Sequence, residues 1–327
     1  VLNVTGLYQV RIPQEQQAVN YSYAYFGGST SYSGTHHVSA MLINGDWGGT
    51  NGANPGYFDS DFIVTGNVRL SGNNMNIGGT TCVGGNLVAD NGFWGNDLYV
   101  DGFAHKEGNN GNDFVGQIAR NAYFNGDVSI GNQANPGFDI QGSMTLNATL
   151  RTQVEKFGHS IHGNLCLGQN ARIEFDNTQN SWGYNWLVGG NVWIPTSTGI
   201  VTHDDVNDTK RVFGGNSSSK LYIADAEVCA SSCPSTDKPT KQKHTPGNTV
   251  SSFVSNGDIF TELPNKTPFE CAESVKAYCD TIWHRVAPHE KKCGNAKYKV
   301  DDLLKIGYSQ FEEYANIAAN SSVNACK

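Results

Sequence analysis

Cysteines are the residues in this sequence whose type and spacing most directly allow chemistry. Six of the eight lie in the final hundred residues: Cys229, Cys233, Cys271, Cys279, Cys293 and Cys326. An even number of cysteines, crowded into a polar and loop-rich stretch, predicts disulfides and an oxidising compartment. Zinc is the weaker alternative, because Cys229-x-x-x-Cys233 has no second close Cys or His pair to complete four ligands. Cys82 and Cys166 lie apart from this group, and we expect them to be small buried apolar residues.

Other compact polar groups are few. His36-His37 and His203-Asp204-Asp205 would need metal-binding partners from elsewhere, so we interpret both as exposed loop residues. An alternative site for a metal is calcium binding by the carboxylates of Asp59, Asp61, Asp97 and Asp101. The sequence contains no HExxH, G-x-S-x-G, P-loop or dinucleotide-binding motif. It therefore predicts a protein that is not an enzyme and has no catalytic residues, cofactor or metal.

Aromatic residues are the stronger indication of a binding site. Trp182, Tyr184, Trp186 and Trp193 crowd into one stretch of the chain. Flat aromatic rings on a rigid sheet can stack on the apolar faces of sugar rings, so these four are the candidate ligand-binding residues. The alternative is that they pack beneath loops or fill the core.

A short repeated phrase indicates which elements hold these residues. It reads apolar, any residue, Gly, small polar, apolar, any residue, apolar. Clear copies are centred on Gly66, Gly85, Gly126, Gly142, Gly163 and Gly190, and a fainter one on Gly45. Each copy alternates apolar and polar residues, as a half-buried strand does, and the Gly-Asn or Gly-Asp pair can bend the chain sharply between two strands.

The spacing of the copies predicts a mainly β fold, a parallel β-solenoid, because one coil of such a fold takes about twenty residues. The gap between Gly85 and Gly126 is doubled, and residues 114–118 are the candidate for a degenerate coil within it. A two-residue hairpin turn in an ordinary β-sandwich is the competing interpretation. Gly is abundant, at 38 residues, and charged residues are only 16%, which argues against disorder driven by charge repulsion.

Composition divides the chain into four parts. Residues 1–60 form a β-rich flap, interpreted as a cap or as a strand lent to a neighbouring molecule. Residues 61–228 are the repeat body, and residues 229–267 are a Ser/Thr/Lys/Pro-rich loop with a short strand near Phe253. Residues 268–327 form a Cys-rich helical module. Its first helix starts at a Thr267 to Glu270 capping box and ends before Pro288, and its second covers about residues 300–319.

Charge and hydropathy exclude several partners. The net charge of −8 argues against nucleic acid. No apolar run is long enough to span a membrane. The first residue is Val1 rather than Met, which predicts that a targeting segment has been removed or is not included in this sequence.

The repeat resembles the extracellular and polymer-forming β-solenoid (β-helix) surface proteins, whose turns carry recurrent Gly-Asn. The resemblance covers about half the chain and implies a secreted or cell-surface location and a structural role, as a filament subunit or an adhesin. An open solenoid must cap its sheet ends or stack on another copy, and head-to-tail stacking generates filaments. A self-associating structural subunit is thus the first hypothesis. A carbohydrate-binding adhesin is the second, and a polysaccharide-degrading β-helix enzyme the third.

Overall fold

A computed structural model provides the structure of the protein. It describes residues 7–9, 23–26, 40–43, 45–48, 57–58, 60–70, 75–89, 91–105, 115–130, 139–152, 158–175, 186–202, 211–226, 228–230, 248–250 and 253–290. These residues form thirty short strands and one helix, so the described part of the chain is mainly β.

The strands belong to three sheets. Sheet A contains β1 (Leu7–Gln9), β2 (Tyr23–Phe26), β3 (Ala40–Ile43), β5 (Asp61–Val64), β8 (Thr81–Val83), β11 (Leu98–Val100), β14 (Ala122–Phe124), β17 (Met144–Leu146), β20 (Leu165–Leu167), β23 (Val192–Ile194), β26 (Lys220–Ile223) and β30 (Asp258–Phe260), in that order. Sheet B contains β6 (Val68–Leu70), β9 (Leu87–Ala89), β12 (Ala104–His105), β15 (Val128–Ile130), β18 (Thr149–Thr152), β21 (Arg172–Phe175) and β24 (Ile200–Thr202).

Sheet C contains β4 (Tyr57–Phe58), β7 (Met75–Ile77), β10 (Asn91–Trp94), β13 (Val115–Ile118), β16 (Asp139–Ile140), β19 (His159–Ile161), β22 (Trp186–Val188), β25 (Arg211–Phe213), β29 (Phe253–Val254), β28 (Asn248–Val250) and β27 (Val228–Ala230). Pairing is parallel throughout the three sheets, except that β1 pairs antiparallel with β2, and β28 pairs antiparallel with both β27 and β29.

From β5 to β26 the chain visits sheets A, B and C in strict rotation. From β5 to β23 each strand therefore pairs in parallel with the strand three places further along, and from β5 to β26 no strand pairs with its chain neighbour. Within a sheet, residues at the same register position lie directly above one another, as Val83 does between Val64 and Val100. Inward side chains from all three sheets form one hydrophobic core. The residues flanking each bend lie in different sheets, so the hairpin interpretation is wrong for these bends.

The repeated phrase occupies two of the three corners between sheets. Gly66, Gly85 and Gly126 lie where the chain passes from sheet A to sheet B, which we call the AB corner. Gly142, Gly163 and Gly190 lie where it passes from sheet C to sheet A, the CA corner. The doubled gap contains a complete rotation, whose AB corner is Gly102, between β11 and β12. Val115–Ile118, within the stretch predicted to be degenerate, forms strand β13 of that rotation.

Glycine is needed at these corners because neighbouring turns of the chain approach closely, and not because of positive φ. Among the described glycines only Gly45, Gly48 and Gly214 have a positive φ. A Cβ built on Gly163 would lie 2.6 Å from the carbonyl carbon of Gly142, and one on Gly85 would lie 2.8 Å from that of Gly66. No side chain fits at those distances. Glycine at each corner therefore allows the next turn of the chain to approach this closely.

Polar side chains at the corners connect successive turns of the chain by hydrogen bonds. At the CA corner the side-chain oxygens of Asn121, Ser143, Asn164 and Asn191 each accept from a backbone N–H one turn further on, at 2.8–3.0 Å. Asn67 and Asn86 do the same at the AB corner. The small polar residue after each repeat glycine therefore accepts a hydrogen bond from the next turn. This bond satisfies a backbone N–H that has no partner in the hydrogen bonds between strands.

The third corner, from sheet B to sheet C, is the BC corner, and it alone varies widely in chain length. One residue separates Ala89 from Asn91 there, whereas ten separate Phe175 from Trp186. From β5 to β17, three residues or fewer separate the strands at each AB and CA corner. The chain therefore gains length between strands mainly at the BC corner.

Helix α1 (Glu273–Glu290) follows sheet A, and its bounds differ from those predicted. Thr267 to Glu270, the predicted capping box, is not helical. In this stretch the Phe269 ring lies beside Tyr222 of β26, and the Glu270 carbonyl accepts a hydrogen bond from Asn164. Helix α1 also continues through Pro288 to Glu290. A proline removes one N–H donor and kinks a helix without always ending it. The described part of the chain contains no helix long and apolar enough to cross a membrane. The second predicted helix lies outside the described residues.

Candidate functional site

The outer face of sheet A differs from the outer faces of sheets B and C. In β8, β11, β14, β17, β20 and β23 all three residues are buried, including the middle one, which points away from the core. In sheet B the middle residues of β6, β9 and β15 are partly exposed, and in sheet C Leu187 is 38% exposed. Sheet A is therefore buried on both faces from β8 to β23.

The element that covers sheet A is residues 269–281, which we call the strap. It passes over sheet A from β26 to β5, which is the reverse of the order of those strands in the sequence. Phe269 lies beside Tyr222, with ring centroids 6.2 Å apart, and the Glu270 carbonyl accepts from Asn164 at 2.7 Å. The Ala272 N–H donates to Thr145 Oγ1 at 3.0 Å. At the far end Tyr278 donates to Asp61 Oδ2 at 2.5 Å.

Two disulfides join the strap to sheet A. Cys271 is bonded to Cys166 in β20, and Cys279 to Cys82 in β8, with Cα–Cα distances of 6.1 and 5.7 Å. Disulfides within this part of the chain were expected, but the partners were not. Cys82 and Cys166 are not merely small buried residues, because each occupies the outward middle position of its strand and meets the strap. The bonds connect residues 197 and 105 apart in sequence.

Between the two disulfides the strap covers a polar and aromatic cluster. Tyr99 and Tyr123 stack with ring centroids 5.4 Å apart, and Tyr99 donates to Asp101 at 2.8 Å. Burial raises the pKa of Tyr99, and the Asp101 carboxylate raises it further. Burial also raises the pKa of Tyr123. The Lys276 ammonium, which bonds to Asp280 on the strap, has its pKa raised mainly by that bond.

These shifts predict that stability falls at alkaline pH. Folded Tyr99, Tyr123 and Lys276 hold their protons more tightly than the unfolded chain does, so folding is stabilised below the unfolded pKa values, near 10. As pH rises beyond about 10 that stabilisation is lost, and the free energy of unfolding should decrease. Denaturant titrations from pH 8 to 11.5 measure this. Tyr99→Phe is the matched control and should flatten the decline, whereas an equally steep decline in Tyr99→Phe would contradict the assignment to Tyr99.

Of the four predicted sugar-binding aromatics, the two that the structure describes are buried. Trp186 is 1% exposed and packs in the core against His159 and Phe175, with centroid distances of 5.0 and 5.6 Å. Trp193 is 9% exposed on the covered outer face of sheet A, 6.1 Å from Tyr222. Tyr222 in turn stacks on Phe260 at 4.8 Å. Trp186 and Trp193 thus pack against neighbouring rings and present little surface to solvent, and their role in sugar stacking stays a prediction. Trp182 and Tyr184 lie outside the described residues.

One Ser, Asp and His constellation went unnoticed in the sequence, because parallel pairing brings its members together from separate turns. Ser160 Oγ and His162 Nε2 lie 2.5 and 3.0 Å from the same oxygen of Asp139, on the outer side of sheet C. In nucleophilic catalysis the serine bonds to the imidazole, and the carboxylate orients the far side of that ring. Here Ser160 bonds to the carboxylate itself, so the geometry does not activate it.

The carboxylates considered for calcium are engaged in structural hydrogen bonds. Asp61 accepts from the Thr80 N–H and from Tyr278, Asp97 from Asn121, and Asp101 from Tyr99 and Asn125. Across the described ranges no group of three His, Cys, Asp or Glu side chains is suited to hold a metal ion. Asp59, His36, His37 and the His203 to Asp205 group lie outside those ranges. So do Cys233, Cys293 and Cys326, while Cys229 falls in strand β27.

Comparison with protein-family models, with curated proteins and with solved structures finds no match to this chain. Chemically, the two disulfides attach the strap covalently to the outer face of sheet A, which the strap covers.

Proposed function

We propose that this chain is a parallel β-solenoid and acts as a non-enzymatic structural subunit of an extracellular filament or surface appendage. The observation that carries the proposal is the unbroken rotation through sheets A, B and C from β5 to β26. In a stack of similar turns, the last turn exposes unpaired strand edges like those on which the previous turns pair. Another copy of the chain can therefore pair with those edges.

The ends of the sheets support association through the solenoid ends and terminal segments. At the N-terminal end sheet A continues for three strands beyond β5, with β3, β2 and β1. At the other end β30 is the last described strand of sheet A, while sheet C continues into β28 and β27. Unequal sheet ends give each end of the stack a shape of its own. Two copies stacked head to tail would bring unlike ends together, and such a contact repeats without closing.

The extracellular location is proposed because of the two disulfides. Bonds such as Cys82–Cys279 and Cys166–Cys271 persist in oxidising surroundings, including the extracellular space, and are rare where thiols are kept reduced. A structural subunit outside the cell accords with this chemistry.

Electron microscopy and fibre diffraction test the proposal. The purified chain should form filaments whose length increases with concentration. Aligned filaments should give a reflection near 4.8 Å along the filament axis, because strands in a solenoid lie across its axis. Monomers persisting at high concentration would overturn the proposal. A 4.8 Å reflection perpendicular to the axis would show that copies associate side by side rather than end to end.

A carbohydrate-binding surface adhesin is the second candidate, favoured by two exposed rings. Phe93, on the outer face of sheet C, and Phe103, which lies 4.5 Å from His105 at sheet B, are each 39% exposed. A pull-down on insoluble polysaccharide distinguishes this function. Reduced retention of Phe93→Ala or Phe103→Ala would support it, and retention equal to that of the unchanged chain would exclude these rings.

A further inference from the structure

The two disulfides have a consequence for a chain that is pulled from its ends. Tension travels along the shortest covalent path between the points of pulling. In this protein that path runs from residue 1 to Cys82, crosses the disulfide to Cys279, and continues to residue 327. Residues 83–278 lie off the path, so they bear no tension while the bond is intact.

We propose that the strap is a tension clasp that prevents most of the coil stack from being extended under mechanical load. The protected segment contains all the strands from β9 to β30, together with the first part of α1. The inference follows from the covalent connections alone. It holds whether or not the chain forms filaments, and goes beyond that function by assigning a mechanical activity to the strap.

The two bonds are nested, and this gives the clasp two stages. Cys166 and Cys271 lie between Cys82 and Cys279 in sequence, so the inner bond carries no tension while the outer bond holds. If the outer bond is reduced, the path lengthens to include residues 83–166 and 271–278. The inner bond then still protects residues 167–270, which include β21 to β30.

Hydrogen bonds at the strap hold the clasp in register with the stack it protects. Asn164, Thr145 and Asp61 bond to the strap from three different turns of the chain, and the side chains of Ala272 and Val275 on the strap are buried. The sulfur atoms therefore remain on the outer face of sheet A, at β8 and β20. Load therefore acts on the turns built by β1 to β7 and on the chain beyond Cys279, and not on the turns between.

Single-molecule force spectroscopy on the full chain, held at its two termini, measures the path directly. An extended chain spans about 3.4 Å per residue. The outer bond spans 197 residues of the 327-residue chain, so the oxidised protein should reach roughly 440 Å at full extension. Adding reductant to the tethered, folded protein should raise this to roughly 1,100 Å.

Paired variants test the nesting. The Cys82→Ser, Cys279→Ser double variant should extend to roughly 750 Å without reductant, because the inner bond still removes 105 residues from the path. Its matched control, Cys166→Ser with Cys271→Ser, should extend no further than the unchanged protein. The proposal is overturned if the oxidised protein extends to its full length, or if both double variants lengthen equally. The reductant experiment uses unchanged, folded protein, so poor folding of a variant leaves that result decisive.

Discussion

Replacing Cys82 and Cys279 together with serine is expected to lower the free energy of unfolding by about 4 to 5 kcal/mol. A disulfide restricts the unfolded chain, and the restriction grows with the length of the loop it closes. The inner bond already closes 105 of the 197 residues, so the outer bond adds an effective loop of roughly 92 residues. A loop of that length accounts for the expected loss.

Denaturant unfolding followed by far-ultraviolet circular dichroism measures this loss as a shift of the midpoint. The matched control is the same pair of measurements in reductant, where the unchanged protein and the variant should have the same midpoint. An unshifted midpoint without reductant would mean that Cys82 and Cys279 are not joined in solution, and the tension clasp would fail with it.

Trp186→Ala should destabilise the protein by about 3 to 5 kcal/mol, because it empties a site in the core. The indole is 1% exposed and packs against His159 on the preceding turn of sheet C and against Phe175 from sheet B. Its removal leaves a cavity that backbone stacked on both sides cannot close.

Leu187→Ala is the matched control, because Leu187 is the next residue in β22 and its side chain is 38% exposed on the opposite face. We expect its effect to remain within about 0.5 kcal/mol. Thermal or denaturant unfolding of both variants gives the comparison. If Trp186→Ala left stability unchanged but lowered retention on polysaccharide, the core assignment would be wrong and the sugar-stacking interpretation restored.

The sequence predicted the strands well, since strand and corner residues carry their own local signals. Alternating apolar residues around Gly66 and Gly163 mark two strands and the bend between them, and both are present. The sequence did not distinguish the AB corner from the CA corner, because both corners require the same residue types. Each needs glycine where backbones nearly touch, followed by a short polar side chain that accepts from the next turn.

The strap was not predicted, because its contacts join residues far apart in sequence. No local pattern links Cys82 to Cys279, and the number of cysteines leaves the pairing open. A signal was nevertheless present. Strands such as Leu98–Val100 and Leu165–Leu167 carry an apolar or aromatic residue at the outward middle position, where β15 carries Ser129. Uninterrupted apolar strands indicate a sheet buried on both faces.

The variable corner between sheets B and C has a practical outcome. Residues inserted there leave the paired strands untouched, so foreign peptides could be displayed along this single edge. Paired strands of a sheet lie roughly 4.8 Å apart, so peptides inserted at this corner of successive turns would be anchored to strands at that spacing. Several short epitopes would then be attached at fixed intervals set by the sheet itself.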